Sequence, residues 1–565
     1  MVLRCAGRSA ILSSRQSAGK VESMTKRVVF VGMVGLSAAL GLSAGCDLLQ
    51  GLKPATLVET GGGGQGGNAG AGGTSTGATG TGTTATVCEP GRSIACYTGP
   101  DGTDGVAACK GGMRACKADG SDYEETCQGE VLPQPETCSA TADEDCDERD
   151  CARWAAVFGD AAVQKPLDIQ TDGLGNVYVL GRFQGALDVV SPALVSAGQD
   201  DMFLVKLDTG GTVVWARQFG DAANQSFGRL SVDAAGNIAV VLRFDGLLDL
   251  GKGNLGPSGT AVAKIDTNGD TLWNVAFSPK LFAHVATHKD GNIVLWTEFS
   301  GKVDFGLGIL DAGLFTDVAL VQLSGADGQT VWAKRFGYSE NSDIATGVAI
   351  DGGNNIVVGG SFDTKIDLGG GDIVQQNSDY AELFVGRFDK NGGFAAGASY
   401  PEMAGAARMG LDSLGSAFFS GAYEYAPSTY SSILKKVDNM VVEVWGKKFE
   451  TSGMASLTTS LDDIAVAPND DVVLAFTADG PNDLGGGDLP PIGAMDLMLA
   501  RLDPDGNHLW SRRFGGAGAV QASPVLATAP NGDIVMAAQV SGTIDVGTGP
   551  LVTKGQDLLI ARFAP

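Results

Sequence analysis

Three carboxylates at alternate positions, Asp143, Asp145 and Asp147, offer the hard oxygen ligands that calcium prefers. Glu148 stands where a calcium loop needs glycine for its sharp turn, and Trp154 where a bidentate Glu would close the site. Both departures favour an acidic loop pinned by disulfides, with calcium as the one cofactor the sequence admits. Histidine is nearly absent, with only His284, His288 and His508 in the chain. His284 and His288 are four apart in strand-like sequence, which separates them by about 13 Å at 3.3 Å per residue. That distance is too long for one metal, so both are expected at the surface or in a turn. No G-x-S-x-G or H-E-x-x-H is present, and residues 152–565 hold no cysteine nucleophile, so no catalytic residue is assigned.

Eight of the ten cysteines fall in one short region: Cys88, Cys96, Cys109, Cys116, Cys127, Cys138, Cys146 and Cys151. An even number so closely packed reads as a disulfide framework of four bridges, whose pairing the spacing leaves open. Zinc is the rival, but C-x-x-C pairs are absent. A module this small needs such staples because it cannot bury a sufficient core. Its sequence, from Cys96-Tyr97-Thr98-Gly99-Pro100 to Cys146-Asp147, is similar to Cys-rich modules of bacterial surface lipoproteins described as metal-binding.

What positions any chemistry in the rest of the chain is a repeat. A W-x-x-x-F signature opens at Trp154, Trp215, Trp273, Trp332, Trp445 and Trp510, and the one double-length gap holds a degenerate copy with Ala396 and Tyr400 in the Trp and Phe places. A turn follows the same strand in each of seven units: Gly175-Asn176, Gly236-Asn237, Gly291-Asn292, Asn354-Asn355, Gly415-Ser416, Asn469-Asp470 and Asn531-Gly532. Gly, Asn and Asp tolerate the φ > 0 that tight hairpins demand. Each unit reads as four short strands, for the fourth roughly 346–351, 355–362, 383–389 and, from the unit before, 330–337. One such unit cannot bury a core, so the units must stack, and four-stranded sheets repeated radially make a propeller. The repeats begin with a Trp strand and end on the strand that elsewhere precedes one. The fold class is therefore all-β: a seven-bladed β-propeller of four-stranded blades, closed by its N-terminal strand and preceded by the disulfide-rich module.

The units resemble the SBBP-type propeller repeat of bacterial secreted proteins, in D-x-x-G-N-x-Y-V-x-G (Asp172 to Gly181) and D-x-F-x-x-K-L-D (here Asp201 to Asp208). That resemblance implies the fold and no shared catalytic residues. Two catalytic propeller patterns come close and fail. Ser324 to Trp332 resembles a sialidase Asp box in the wrong register. Asp266, Gly269 and Trp273 resemble a quinoprotein dehydrogenase turn, but the vicinal cysteines of those enzymes are missing. The turns at Asp266 and Asp503 are read as hairpins rather than calcium loops. A further element, F-x-G-x-x-D-x-G, places Asp249, Asp304, Asp367 and Asp545 as turn caps in the long connections. The basic pairs Lys334-Arg335, Lys447-Lys448 and Arg512-Arg513 are expected on outermost strands, where they discourage edge pairing.

Residues 1–46 read as a secretory signal whose basic head, Lys26-Arg27, precedes an apolar run, with Met24 as the better start. Its end, Leu42-Ser43-Ala44-Gly45-Cys46, resembles a bacterial lipobox, which makes Cys46 the lipidated residue. Residues 47–87 are a Gly/Thr-rich flexible linker spanning roughly 35 Å, residues 88–151 the cysteine module and residues 152–565 the propeller. A net charge of −26 excludes a nucleic-acid partner, which needs basic patches. The expectation is a monomeric, non-enzymatic binding or scaffold protein of a bacterial cell envelope. It is held to a membrane, the outer in preference to the inner, by its lipid and presents a protein or glycan ligand site. The alternative is a carbohydrate-active hydrolase or lyase. A catalytic pair of inward carboxylates at one channel mouth favours the enzyme, and a lining of Gly, Ala, Val and Ser counts against it.

Overall fold

A computed structural model describes residues 87–565, apart from 100–102, 107, 134–145, 147–151, 339–340, 377–380, 405–407, 427–428, 450–458 and 517–518. Cys46, Cys138, Cys151, Asp143, Asp145 and Asp147 lie outside the described residues, as do the signal and nearly all of the linker. The described residues form strands and no helix. In the cysteine module a hairpin pairs Ser93–Cys96 with Gly112–Ala115. Three disulfides, Cys88–Cys116, Cys96–Cys127 and Cys109–Cys146, staple it.

Seven four-stranded antiparallel blades follow, of which blades 4 and 5 join into one eight-stranded sheet where Ala404 pairs with Ala422. Blade 1 runs Gln164–Thr171, Val177–Phe183, Asp201–Leu207 and Val213–Phe219 from innermost strand to outermost. The innermost strands of blades 2 to 7 are Gln225–Val232, Phe282–Thr287, Asp343–Ile350, Met409–Leu411, Thr459–Val466 and Gln521–Thr528. Blade 7 takes its outermost strand, Ala152–Phe158, from the start of the repeats. That strand pairs with Leu551–Phe563, Trp154 opposite Arg562, so the ring closes as the phase of the repeats requires. Three of the fourth unit's strands begin and end within a few residues of expectation, at Asp343–Ile350, Ile356–Phe362 and Glu382–Phe388, but its outermost strand is Phe394–Ala404, and Thr330–Phe336 belongs to blade 3.

The turn chemistry explains the repeat. One residue in each of the seven turns after the innermost strand has φ > 0: Gly175, Gly236, Gly291, Asn354, Gly415, Asp470 and Gly532. In the turn between third and outermost strands, Asp266 Oδ1 accepts from the N–H groups of Asn268 and Asp270, and Asp503 Oδ1 from those of Asp505 and Asn507. These carboxylates are occupied as hairpin caps. The caps of the long connections work the same way: Asp249, Asp304, Asp367 and Asp545 each accept from two glycine N–H groups, and so does Asp483, which the sequence pattern missed.

The apolar core sits in seven layers, one between each pair of neighbouring blades. Five of the six outermost-strand Trp residues, all but Trp510, dock on the next blade's turn. The Nε1–H groups of Trp154, Trp215, Trp273 and Trp445 donate to the carbonyls of Thr209, Thr267, Gly325 and Pro504 at 3.0–3.1 Å. The turn glycine lies under the ring: a Cβ on Gly328 would stand 2.5 Å from Trp273. Cations on the third strands add cross-blade bonds, as when Lys206 Nζ donates to Thr267 and Lys264 Nζ to Gly291 and Gly325. The exception is instructive. Where Ala396 replaces Trp, the next turn carries buried Val441 at φ 65° in place of glycine, and Tyr400 donates its hydroxyl to the Val441 carbonyl at 2.9 Å. Loss of the indole leaves room for the valine.

The basic pairs differ from expectation. Lys334 and Lys447 donate to the next blade's turn at Gly392 and Gly506, while Arg335 pairs with Asp317 and buried Arg513 with Asp496. The pairs do lie on outermost strands, but the two lysines bond the next blade and the two arginines tie strands within their own blade.

Candidate functional site

The innermost strands run from a rim bearing the long connections, here called upper, to a rim of tight turns. Counting back four residues from the first turn residue gives the same level in every blade: Asp168, Arg229, His284, Gly347, Arg408, Asp463 and Val525. All seven stand opposite the equivalent second-strand residue or, for Arg408, bond to it: Leu180, Val241, Trp296, Gly359, Ser420, Ala475 and Ala537. They form a charged belt around the channel, enclosing about 110 Å³ with their neighbours. Two residues further down, the positions are Gln170, Ser231, Ala286, Ala349, Gly410, Ala465 and Ala527. Those small side chains open a vestibule of about 330 Å³ towards the lower rim.

The belt carboxylates are engaged. Asp168 accepts from Ile169 N–H at 2.9 Å and, in the next blade, Leu230 N–H at 3.0 Å. Asp463 repeats the device with Ile464 at 3.0 Å and Leu526 at 2.7 Å, and also faces Arg408 Nε at 3.4 Å. An innermost strand has no neighbour on its channel side, and these acids satisfy N–H groups that would otherwise lack a partner. Glu298, on the second strand of blade 3, does the same for Ala345 N–H at 3.2 Å.

Above the belt, cations and aromatics gather between blades 2 and 3. The Arg229 guanidinium lies 4.8 Å over the Phe227 ring and that of Arg243 lies 4.3 Å over Phe282, while the two rings meet edge to face at 5.3 Å. Arg229 donates to the Leu167 carbonyl at 3.1 Å, but the buried Nε of both arginines has no acceptor in the protein. Phe282 is 43% exposed. Burial, then repulsion from Arg408, brings the Arg229 pKa down to about 10. Burial, then the Arg229 and Arg408 charges, holds His284 well below its ordinary value, so the imidazole is neutral at pH 7. Burial pushes Glu298 up to about 7, and Asp462, bonded by Thr477 and Ser460, up to about 6. Burial lowers Lys165.

The histidine expectation holds for His288, which stands in a turn, and is corrected for His284. His284 is a channel residue between two arginines, and His288 is buried in its turn with Nδ1 3.0 Å from Asn354 Oδ1. The rise along the strand separates the two but does not put either on the surface, because the innermost strand is enclosed by its neighbours. Sequence reading also passed over Arg229, Arg243, Arg408, Asp168 and Asp463. Aligning the seven repeats on their turns and reading one column four places back would have found the belt. Among the described residues, no group of three or more His, Cys, Asp or Glu is arranged to hold a metal ion.

The fold and channel define a seven-bladed β-propeller with a disulfide-rich region ahead of it. No protein-family model and no curated protein matches the chain. Among solved structures it is similar to the Dos1 propeller, at 10% identity and TM-score 0.35, over 72% of this chain and 93% of that one. A polysaccharide lyase of family PL25, an ulvan lyase bound to -[GlcA(1-4)Rha3S]-, matches at 12% identity and TM-score 0.41, over 71% and 96%. The quinohemoprotein alcohol dehydrogenase of Comamonas testosteroni matches at 11% and 0.35, over 72% and 76%. At these identities and scores nothing about chemistry passes from those proteins to this chain.

Proposed function

We propose that the chain is an exported, non-enzymatic binding protein of a bacterial envelope, anchored by a lipid on Cys46, with its ligand site at the upper channel mouth. The observation that carries this reading is the state of the channel acids. Asp168, Asp463 and Glu298 serve as acceptors for innermost-strand N–H groups, and Asp462 is held by two hydroxyls, which leaves no free carboxylate pair for hydrolysis among these described channel acids. Gln170 apart, small residues stand two positions below the belt in the lower vestibule, which counts against catalysis there. Three disulfides support passage into an oxidising compartment. The anchor is tested by membrane fractionation: Cys46→Ser is expected to release the protein from the membrane pellet, and retention in the pellet refutes the anchor. The ligand is sought by probing a glycan array with the full chain, in calcium and again in chelator. Loss of binding in chelator assigns the site to the acidic loop at Asp143, Asp145 and Asp147 instead of the channel.

One observation favours a lyase as second reading. His284 is neutral and lies in the field of Arg229 and Arg408, as a base beside carboxylate-neutralising groups would. Among the described residues lining the belt there is no tyrosine to protonate a leaving group. Appearance of the ultraviolet absorbance of an unsaturated uronate on incubation with acidic polysaccharide would replace the binding reading with this one.

A further inference from the structure

Taken as a whole the protein is strongly acidic, at −26, yet its upper neck is not. Lys165, Arg229, Arg243 and Arg408 come to one end of the channel, and the acids among them are tied to backbone N–H groups or hydroxyls. Among the described residues, Arg408 alone of the four has a carboxylate within ion-pair distance, Asp463 at 3.4 Å. The Nε–H groups of Arg229 and Arg243 are buried and lack an acceptor, although buried donors almost always have one. Both guanidinium groups thus carry donor capacity that no protein acceptor fills. Guanidinium forks match carboxylate and sulfate better than a hydroxyl or an amide.

Beside those donors stand Phe227 and the half-exposed Phe282, an aromatic pair at the water boundary of the mouth. An aromatic face next to an anion site suits a ring with an apolar C–H face and an acidic substituent. A peptide is the poorer occupant. Extended peptides bind by adding to an open strand edge, and here three edge N–H groups, of Leu230, Ala345 and Leu526, are already taken by Asp168, Glu298 and Asp463. Of Arg229, Arg243, Phe227 and Phe282, Arg229 also lines the belt cavity below.

We propose that the upper neck is a site for an acidic glycan, in which Arg229 and Arg243 hold a uronate carboxylate or sugar sulfate and Phe227 and Phe282 pack against the ring that carries it. This rests on the binding reading above, since it places the ligand at the same mouth.

The test is titration calorimetry of the full chain with tetragalacturonate, with maltotetraose as neutral counterpart and sodium sulfate as bare anion. Tetragalacturonate is expected to bind at least about tenfold more tightly than either. Arg243→Gln and Phe282→Ala are each expected to weaken it about tenfold, and Arg243→Lys by less. Lys302→Gln, on an exposed hairpin, is expected to leave it unchanged. A melting curve checks that each variant folds. Equal binding of maltotetraose overturns the acidic-glycan site while the binding reading stands. Sulfate as tight as tetragalacturonate overturns the role of the sugar ring, and unchanged binding in folded Arg243→Gln overturns the placement. Cleavage of tetragalacturonate keeps the ligand class and overturns the non-enzymatic reading instead.

Discussion

Asp343 begins the innermost strand of blade 4, where blades 1, 2 and 7 have Gln164, Gln225 and Gln521. It is fully buried next to the carboxylate of Asp317, under Gly337, and neither of its oxygens has a hydrogen-bond partner. Arg335 pairs with Asp317 and leaves Asp343 uncompensated. Burial, then the charges of Asp317 and Asp363, pushes the Asp343 pKa from 3.8 up to about 8. A carboxyl raised in this way favours folding when protonated. Its contribution is full below the unfolded value, and is lost as pH rises through the folded one. At about 1.4 kcal/mol per pH unit, the gap sets a ceiling of about 6 kcal/mol. Asp343→Asn keeps the shape and lets the new amide donate to Asp317 Oδ1, which has no partner. We expect a gain of about 2–4 kcal/mol at pH 8–9 and almost none at pH 4. Urea unfolding of both proteins from pH 4 to 9 measures it. The two stability curves should separate progressively across that window and run parallel above pH 8. Curves parallel throughout, or a less stable variant at pH 8, would refute the burial argument.

Three further outcomes are expected. Ala396→Trp should cost about 1–3 kcal/mol by overpacking against Val441, and adding Val441→Gly should recover at least about 1 kcal/mol in a double-mutant cycle on urea midpoints. Trp215→Ala should cost about 2–4 kcal/mol, because the ring packs on the Gly269 turn and Nε1 bonds Thr267; a melting shift no larger than that of an exposed control would contradict the docking role. Tetragalacturonate binding should strengthen as pH falls from 8 to 6, since Glu298 near 7 and Asp462 near 6 lose negative charge beside Arg243 and Lys165; Glu298→Gln should flatten most of that dependence.

The blade count, the closing strand and the turn caps were legible because each rests on local chemistry that recurs. A hairpin that needs φ > 0 announces itself seven times, and a Trp that docks on a glycine turn does so at a fixed distance. The charged belt was harder to see. Asp168 and Arg408 are far apart in sequence and carry no motif, and they share a level only because blades share a register. His284 looked like a surface residue because alternation says which way a side chain points and nothing about what stands in front of it. Asp317 and Asp343 hid for the same reason: two acids 26 positions apart meet only when one blade is laid against the next.

Closure by Ala152–Phe158 has a consequence for how the chain comes to be folded. The strand that seals the ring is made first among the blades, and its partner Leu551–Phe563 is made last, roughly four hundred residues later. Until then a nascent chain holds an unpaired edge at its leading strand, and the ring lies under the slow kinetics of high contact order. Assembly in an export pathway would call for a holding chaperone through that interval. A truncation that removes only the final strand should open the whole circle, even though six blades keep every one of their own residues.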